Sequence, residues 1–482
     1  MLNQKKIKAC LVLLLGAFLF FEGCSKTSVY EPPKVSVPDQ WKHLDHKEQL
    51  VLSRRWWEIF DDPTLRALEE RAIVNSPNLQ ACIAKVAAVR GVERSLRGER
   101  FSQVALSPSY FSSEELLKPT VPGVSVDPFR AHIQKSMFPV AIGYEVDLWG
   151  RKRELWKRAC YETEGRERAY EASRLSLTAH VAVVYFCLSA LEAKISFLLK
   201  KQELSIHLIS LEKRKKDRGI YDEFGLLALE RRGGFISLAI EEVERQRDEL
   251  KNLLATLIGE NPSIFSINIE PLKMKSPPKV PVDLPSTILL RRPDLAEAER
   301  KVASSYSSLK VVRANLFPVV RLTSLLGFSS PQLRDFLSWK SRLWTFGTGI
   351  SWTLFDGGRS RSFVDVARAN YNRAEAVYRE KILRAFCEVE DSLNNLERSV
   401  KKLEISENIF ITSKREVLLL QRRVDRGFSS KKETLEGELR CLDAKMALLD
   451  CYSENYQYTV GLVRALGGGW SLSPLLLDTS MK

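Results

Sequence analysis

Five histidines are scattered over the 482 residues, at His43, His46, His132, His180 and His207, and only the first two stand close enough to act together. At i, i+3 they could share a metal ion, but they lie in a polar segment with no cysteine or third histidine beside them. No metal is expected there. Cys10, Cys82, Cys160, Cys187, Cys387, Cys441 and Cys451 are spread without C-x-x-C spacing, which points to neither a zinc site nor a disulfide scaffold. Most of them read as small apolar fillers on helix faces. The chain has no G-x-S-x-G, no H-E-x-x-H and no phosphate-cradling glycine loop. The carboxylates Glu241-Glu242 and the nearby pair Glu388 and Glu390 read as solvated helix faces. Nothing here calls for an enzyme or a cofactor.

Cys24 is the exception. Lys5, Lys6 and Lys8 precede an apolar stretch from Ala9 to Phe21, shorter than the about 20 residues of a membrane-spanning helix. Phe21-Glu22-Gly23-Cys24 then has the order of a bacterial lipobox, a small residue at the cleavage point followed by the thiol to be acylated. Phe21 and Glu22 stand where Leu and a small residue are usual. The pattern predicts a signal peptide over 1–23 and lipidation at Cys24; plain signal cleavage nearby is the alternative. Ser25, rather than an Asp that would hold a lipoprotein at the inner membrane, favours the outer membrane. One acyl chain anchors weakly, so stable attachment needs several chains or an embedded barrel.

The elements that would position such a site follow from composition and repeats. The net charge of +14 comes from 74 basic residues interleaved with 60 acidic ones, with no concentrated basic arm, which argues against a nucleic-acid partner. No long apolar run is evident beyond the signal segment, which excludes a polytopic helical membrane protein but not a β-barrel, whose alternating strands hardly register in hydropathy.

The chain is one unit written twice. Tyr144 to Gly150-Arg151 stands against Trp352 to Gly358-Arg359, Arg218-Gly219 against Arg426-Gly427, and Leu257-Ile258-Gly259 against Ala465-Leu466-Gly467, all 208 residues apart. Upstream, Pro77-Asn78-Leu79 matches Pro293-Asp294-Leu295 and Phe101 matches Phe317 at a spacing of 216. The difference places an eight-residue insertion between Phe101 and Gly150, in the Pro-rich stretch Lys118 to Pro128. The organisation read from this is an N-terminal anchored segment over 24–60, a first repeat over 61–276 and a second over 277–482.

Each half runs helix, strand pair, very long helix, break, helix. Phe138, Val140, Ile142, Tyr144, Val146 and Leu148 alternate with small and polar residues. Trp344, Phe346, Ile350, Trp352 and Leu354 do the same. Partner strands are expected over Val104–Phe111 and Val319–Phe328. An apolar face opposite a polar one suits lipid outside and water inside, and equally a soluble sheet burying one face. Four strands cannot close a barrel alone, so in lipid several protomers must share it. No proline interrupts the helical patterns from Arg151 to about Arg214 and from Arg359 to about Arg422. At 1.5 Å per residue each would run ~95 Å.

Trp56-Trp57 to Asp62-Pro63, Asn75-Ser-Pro-Asn78-Leu79, Tyr144 to Arg151, Leu290-Arg291-Arg292-Pro293-Asp294 with Ala298-Glu299, Ala314 to Pro318, Leu354 to Gly358, and Glu388-Val389-Glu390-Asp391 occur in order along nearly the whole chain. In this set the sequence resembles the TolC-like outer-membrane factor family, in its lipoprotein branch that serves RND-type tripartite efflux systems. The resemblance implies a mixed α and β fold. Long antiparallel helices form an α-helical barrel across the periplasm, and four strands per chain join a trimeric twelve-stranded transmembrane β-barrel. It implies a homotrimer in the outer membrane with a periplasmic adaptor and an inner-membrane pump as partners, conducting small molecules such as drugs or toxic compounds. A protein-export duct and a pore-less lipid-anchored scaffold are the alternatives; the lipobox and R-R-P-D favour efflux. The family's periplasmic tip is ringed by acidic side chains, and matching from Arg426-Gly427 carries those positions to Glu433 and Glu436. Six carboxylates around a three-fold axis would favour cations. Glu stands here where Asp is common, and Lys431-Lys432 where apolar or aromatic residues are usual. A solvated i, i+3 helix face is the other reading of the same pair.

Overall fold

The computed structural model describes residues 30–33, 38, 41–42, 53–117, 120–121, 124–125, 128–216, 223–280, 291–331, 333–335 and 337–470. The signal peptide, Cys24, His43, His46, the Arg218-Gly219 break, Leu290 and most of the 118–128 insertion lie outside them. A 3-10 turn (Trp56–Phe60) leads into α1 (Pro63–Asn75) and α2 (Pro77–Gly98), then β1 (Gln103–Leu106), β2 (Ser109–Leu117), β3 (Thr120–Val121), β4 (Val124–Ser125) and β5 (Phe129–Val146). The long helix α3 (Arg151–Lys216) and α4 (Glu223–Ile258) complete the first half. The second repeats the order with α5 (Pro293–Ala314), β6 (Val319–Ser330), β7 (Arg342–Ser351), α6 (Arg359–Asp425) and α7 (Lys431–Ala465). Two compact units emerge, one holding the strands (Ala88–Glu164 with Glu299–Ala376), the other the helical core (Val35–Ala87, Gly165–Ala298, Val377–Lys482).

In the strand unit the order is β1-β5-β6-β7, with β2 continuing β1 along the same edge of β5 and every pairing antiparallel. Where one strand was expected over Val104–Phe111, two are found. Pro108 lacks an N–H and interrupts the ladder, while Ser107 N still donates to Pro139 O at 3.2 Å. The register aligns the apolar faces: Phe138 with Phe328, Val140 with Leu326, Tyr144 with Leu322, and Leu326 in turn with Trp344. Opposite parity pairs Gly143 with Thr323 and Glu145 with Arg321. Phe138 to Val146 covers about 27 Å of strand, of the order of the ~25 Å apolar band of outer-membrane barrels. β5 begins nine residues earlier than the alternation indicated, because Arg130, His132, Gln134 and Ser136 take over the outward parity beyond Phe138. Pro139 sits in a central strand opposite Gly327, whose absent Cβ would lie 2.1 Å from Phe138 O. β7 stops at Ser351, so Trp352 and Leu354 follow the strand rather than belong to it.

Aromatic side chains mark the level where strands give way to helices. Trp149 stacks on Phe317, centroids 4.6 Å apart, and donates its indole N–H to Pro318 O at 2.8 Å. Trp352 Nε1 donates to Leu316 O at 3.0 Å. Rings with an apolar body and a polar tip belong at a membrane–water boundary. Beyond them an aspartate starts each long helix. Asp147 accepts from the backbone N–H of Lys152 and Arg153 (3.0 and 2.9 Å), and Asp356 from Gly358 and Ser360 (3.1 and 2.9 Å).

The helical unit is built around the middle of α3. Trp56, Trp57, Leu65, Leu68 and Ala72 pack with Val181, Ala182, Tyr185, Phe186 and Leu188, and with Ile258, Val460 and Val463 from the other helices. Asp62 caps α1 through Thr64 N and Leu65 N and accepts the Tyr185 hydroxyl at 2.6 Å. The expectation of no further long apolar run is corrected here: α3 holds a stretch long and apolar enough to cross a membrane, but most of it is buried. A helix apolar all round is the centre of a core, and this one is enclosed by its neighbours.

The two repeats close their ends with the same contact. Gly259, at φ 76°, places its absent Cβ 2.4 Å from Asn75 O, and Gly467, at φ 93°, places its own 2.3 Å from Arg291 O. Asn75 and Arg291 stand 216 residues apart, and the two glycines 208. Any side chain would meet backbone that cannot swing aside, in a conformation L-residues avoid. Gly259→Ala and Gly467→Ala are each expected to destabilise the chain by roughly 2–4 kcal/mol. Gly91→Ala, in a helix with open space around it, should instead stabilise by about 0.5–1 kcal/mol. Denaturant midpoints of the purified proteins measure the difference, and equal effects at all three positions would refute the close approach.

Candidate functional site

The two gate glutamates of the sequence reading fall at the start of α7, next to the turn from α6, while Cys24 lies outside the described residues. Gly427, at φ 76°, ends α6, and Ser430 begins α7. Glu433 is exposed and Glu436 half-buried, three residues apart on the first turns. Glu433 also has a local task the sequence reading passed over. Ser430 Oγ accepts from Glu433 N at 3.3 Å while Glu433 Oε1 accepts from Ser430 N at 3.4 Å, a capping box. The Ser429 hydroxyl, above all, and the Ser430 backbone and hydroxyl hold the Glu433 carboxyl below its usual range. The S-x-x-E spelling was open to inspection. Just beyond Glu436, Gly437 lets α6 approach, since a Cβ there would lie 2.7 Å from Leu420 Cδ1.

Lys432 does not stand over these carboxylates. It reaches to α3, where Glu212 Oε1 lies 3.0 Å from both Lys432 Nζ and Lys215 Nζ. Partial burial works against the Glu212 charge, but the two ammonium groups outweigh it and hold its pKa below the ordinary value. This bond ties the last turn of α3 to the first turn of α7. Arg440 pairs with Glu416 at 2.7 Å about two turns further along than Lys432, joining α7 to α6.

The R-R-P-D and E-V-E-D motifs prove to be halves of one structural joint. Arg292 is buried, 9% exposed, and holds Asp294 at 2.8 Å and Glu388 at 2.7 Å. It also donates to Ala465 O at 3.2 Å, one of the carbonyls left open where α7 ends. Asp294, in the first turn of α5 where its charge complements the helix dipole, is therefore also half of an ion pair. Burial alone would raise its pKa, but hydrogen bonding and charge from Arg292 prevail and hold it below the ordinary value. Lys201 and Lys194 of α3 bind Asp443 and Asp450 of α7 in the same helical unit, at 2.5 and 3.0 Å.

A twice-written chain that offers four strands with an outward apolar band, and two helices of 66 and 67 residues, defines a protomer of a membrane-crossing duct. The chain belongs to the outer membrane efflux protein family, whose model matches residues 68–260 and again 284–468. It is similar to the pyoverdine export outer membrane protein OpmQ of Pseudomonas aeruginosa, 28% identical over 98% of this chain and 97% of that one. It is also similar to the cation efflux system protein CusC of Escherichia coli, 26% identical over 96% and 99%. The outer-membrane channel OprN superposes with a TM-score of 0.83 at 25% identity, covering 93% of this chain and all of that one. The Campylobacter jejuni CmeC channel shares the fold, with a TM-score of 0.83 over 93% and 96% at 21% identity. The chain is thus the outer-membrane channel component of a tripartite efflux pump, and not an enzyme. Channels of this family are trimers that work with a periplasmic adaptor and an inner-membrane pump.

The joint at Arg292 generates a prediction. Arg292→Lys removes the forked geometry and should cost roughly 2–3 kcal/mol at pH 7, less than a fully buried pair because Glu388 is half exposed. Asp294 has a depressed folded-state pKa, so its contribution is present above the ordinary carboxylate pKa and lost as pH falls through the folded value. The gap between wild type and variant should therefore narrow below about pH 4. Unfolding midpoints at pH 7 and pH 3.5 decide it; an equal gap at both would mean that the ion pair is not its source.

Proposed function

We propose that this chain assembles as a homotrimer whose shared sheet closes a twelve-stranded barrel and whose α3, α4, α6 and α7 form the periplasmic tunnel. In this reading Cys24 carries the lipid anchor and Glu433 and Glu436 line the constriction at the tip. The supporting observation is the strand unit itself: among the described residues it has four strand positions (β1 with β2, β5, β6 and β7), an apolar outward band and unpaired edges at β7 and at β1/β2. Lipid offers no hydrogen bonds to those edges, so only closure by further copies satisfies them. The cargo is of the small-molecule kind, delivered by an adaptor and a pump from the inner membrane. Toluene is named for one relative of this chain, TtgI of Pseudomonas putida, 26% identical over 96% of the chain.

Mass measurement in detergent should give three protomer masses, and planar bilayers containing the purified protein should show discrete conductance. A folded monomer without conductance would refute the reading, and passage of unfolded polypeptide in place of small solutes would favour an export duct. Replacing Glu433 and Glu436 together by Ala should lower potassium permeability relative to chloride and weaken block by multivalent cations. Replacing Glu241 and Glu242 should do neither. Labelled acyl chains should attach to the wild type and not to Cys24→Ala, with insertion of the barrel retained. Label persisting in the variant would remove the lipoprotein assignment.

A further inference from the structure

The charge at the far ends of the long helices has the opposite sign to the two glutamates. Residues 212–232 and 422–436, which end α3 and α6 and begin α4 and α7, carry twelve basic and eight acidic side chains, a formal +4 per chain. The Lys432–Glu212 bond shows that the last turns of α3 and the first turn of α7 meet in space.

Pairing within the tip leaves the excess exposed. Lys215 and Lys432 share Glu212, and Lys213 is held by Glu230 at 3.1 Å. Arg214, Arg422, Arg423, Arg426 and Lys431 are exposed, and among the described residues none of them makes an ion pair. The acidic side is spent differently. Glu212 serves two lysines, Glu433 is folded into its capping box with Arg423 adding to the hold on its charge, and Glu436 is half-buried, while Glu223 and Asp425 are exposed without an ion pair among the described residues and offset only part of the basic excess. Most of the unpaired exposed basic groups, Arg231 among them, are arginines, which keep their charge at any physiological pH.

Resting on the reading of this end as the channel's entrance, we propose that the tip is an anion-selecting mouth and that the cargo it admits is small and anionic. An assembly about a three-fold axis brings three such sets together in a narrow opening. Fields of one sign there are focused by low-dielectric walls, and charges closer than the ~8 Å Debye length are poorly screened at physiological salt. Rings of Arg and Lys favour anions in pores. Carboxylate-, phosphate- or sulfonate-bearing molecules are drawn to the mouth and concentrated there, while cations meet a barrier that two glutamates per chain do not cancel.

Reversal potentials across a potassium chloride gradient test this on the purified, full-length trimer in planar bilayers. Chloride should permeate in preference to potassium, and hexacyanoferrate(III) should block at lower concentration than hexaamminecobalt(III). In the variant with Arg422→Gln, Arg423→Gln, Arg426→Gln and Lys431→Gln the chloride-to-potassium ratio should fall by about threefold or more. Its trimer mass and its insertion into the bilayer as a conducting channel should be kept. Arg245→Gln, on the exposed flank of α4, should leave the ratio unchanged. A conducting wild type that prefers potassium overturns the inference while leaving the channel intact. So does a variant whose ratio does not move. A trimer that inserts and conducts nothing removes the channel reading, and this inference with it.

Discussion

Hydrocarbon contains no water to satisfy a backbone N–H or C=O, and each one left unpaired costs several kcal/mol. A chain that commits only four strands to the bilayer cannot meet that requirement by itself. Much else in the strand unit follows from it. The outward parity must be apolar for as long as the strand is in lipid, which sets the run from Phe138 to Val146. A proline can stand in central strand β5 because Gly327 opposite has no side chain and lets the backbones come together. Pro108 is tolerated because its strand lies at an edge, where the break between β1 and β2 costs least.

Duplication answers a different constraint, that of ending a helix against another chain segment. Both repeats use a glycine at positive φ pressed on the carbonyl just before the matching early helix of the same repeat, α2 or α5. The second adds a buried arginine, Arg292, which satisfies an open carbonyl at the end of α7 and ties α6 to the same joint through Glu388. The first has Ser76 at the position matching Arg292 and works without one, so the ion pair is an elaboration on a contact already sufficient.

The periodic features could be read directly from the chain. Strand alternation, uninterrupted helices and a duplication held in register are local or one-dimensional signals, and they led to the order of strands and long helices in each half; the family and the channel function came from the resemblance carried by the ordered motifs. What stayed hidden was of three kinds. The polar half of β5 was missed because its outward parity turns hydrophilic outside the bilayer, which erases the signal sought. The Arg292–Glu388 pair joins residues 96 apart, and nothing in either motif announces the other. The capping box at Ser430 is spelled out as S-x-x-E, but a carboxylate beside the glycine break carries the pore signal as well. A residue can serve both ends, but the backbone role is the one its neighbours dictate. The apolar middle of α3 was overlooked because charged residues on both sides dilute its hydropathy.

The two bare edges of the sheet also govern what happens before assembly. Until β7 of one chain meets the β1/β2 edge of another, each copy displays two rows of unpaired amides and carbonyls beside exposed Trp344, Phe346 and Ile350. Such edges join whatever strand arrives first. Closure into a ring needs several encounters, whereas a wrong pairing needs one, so yield depends on concentration and on escort through the periplasm as much as on the stability of the finished channel.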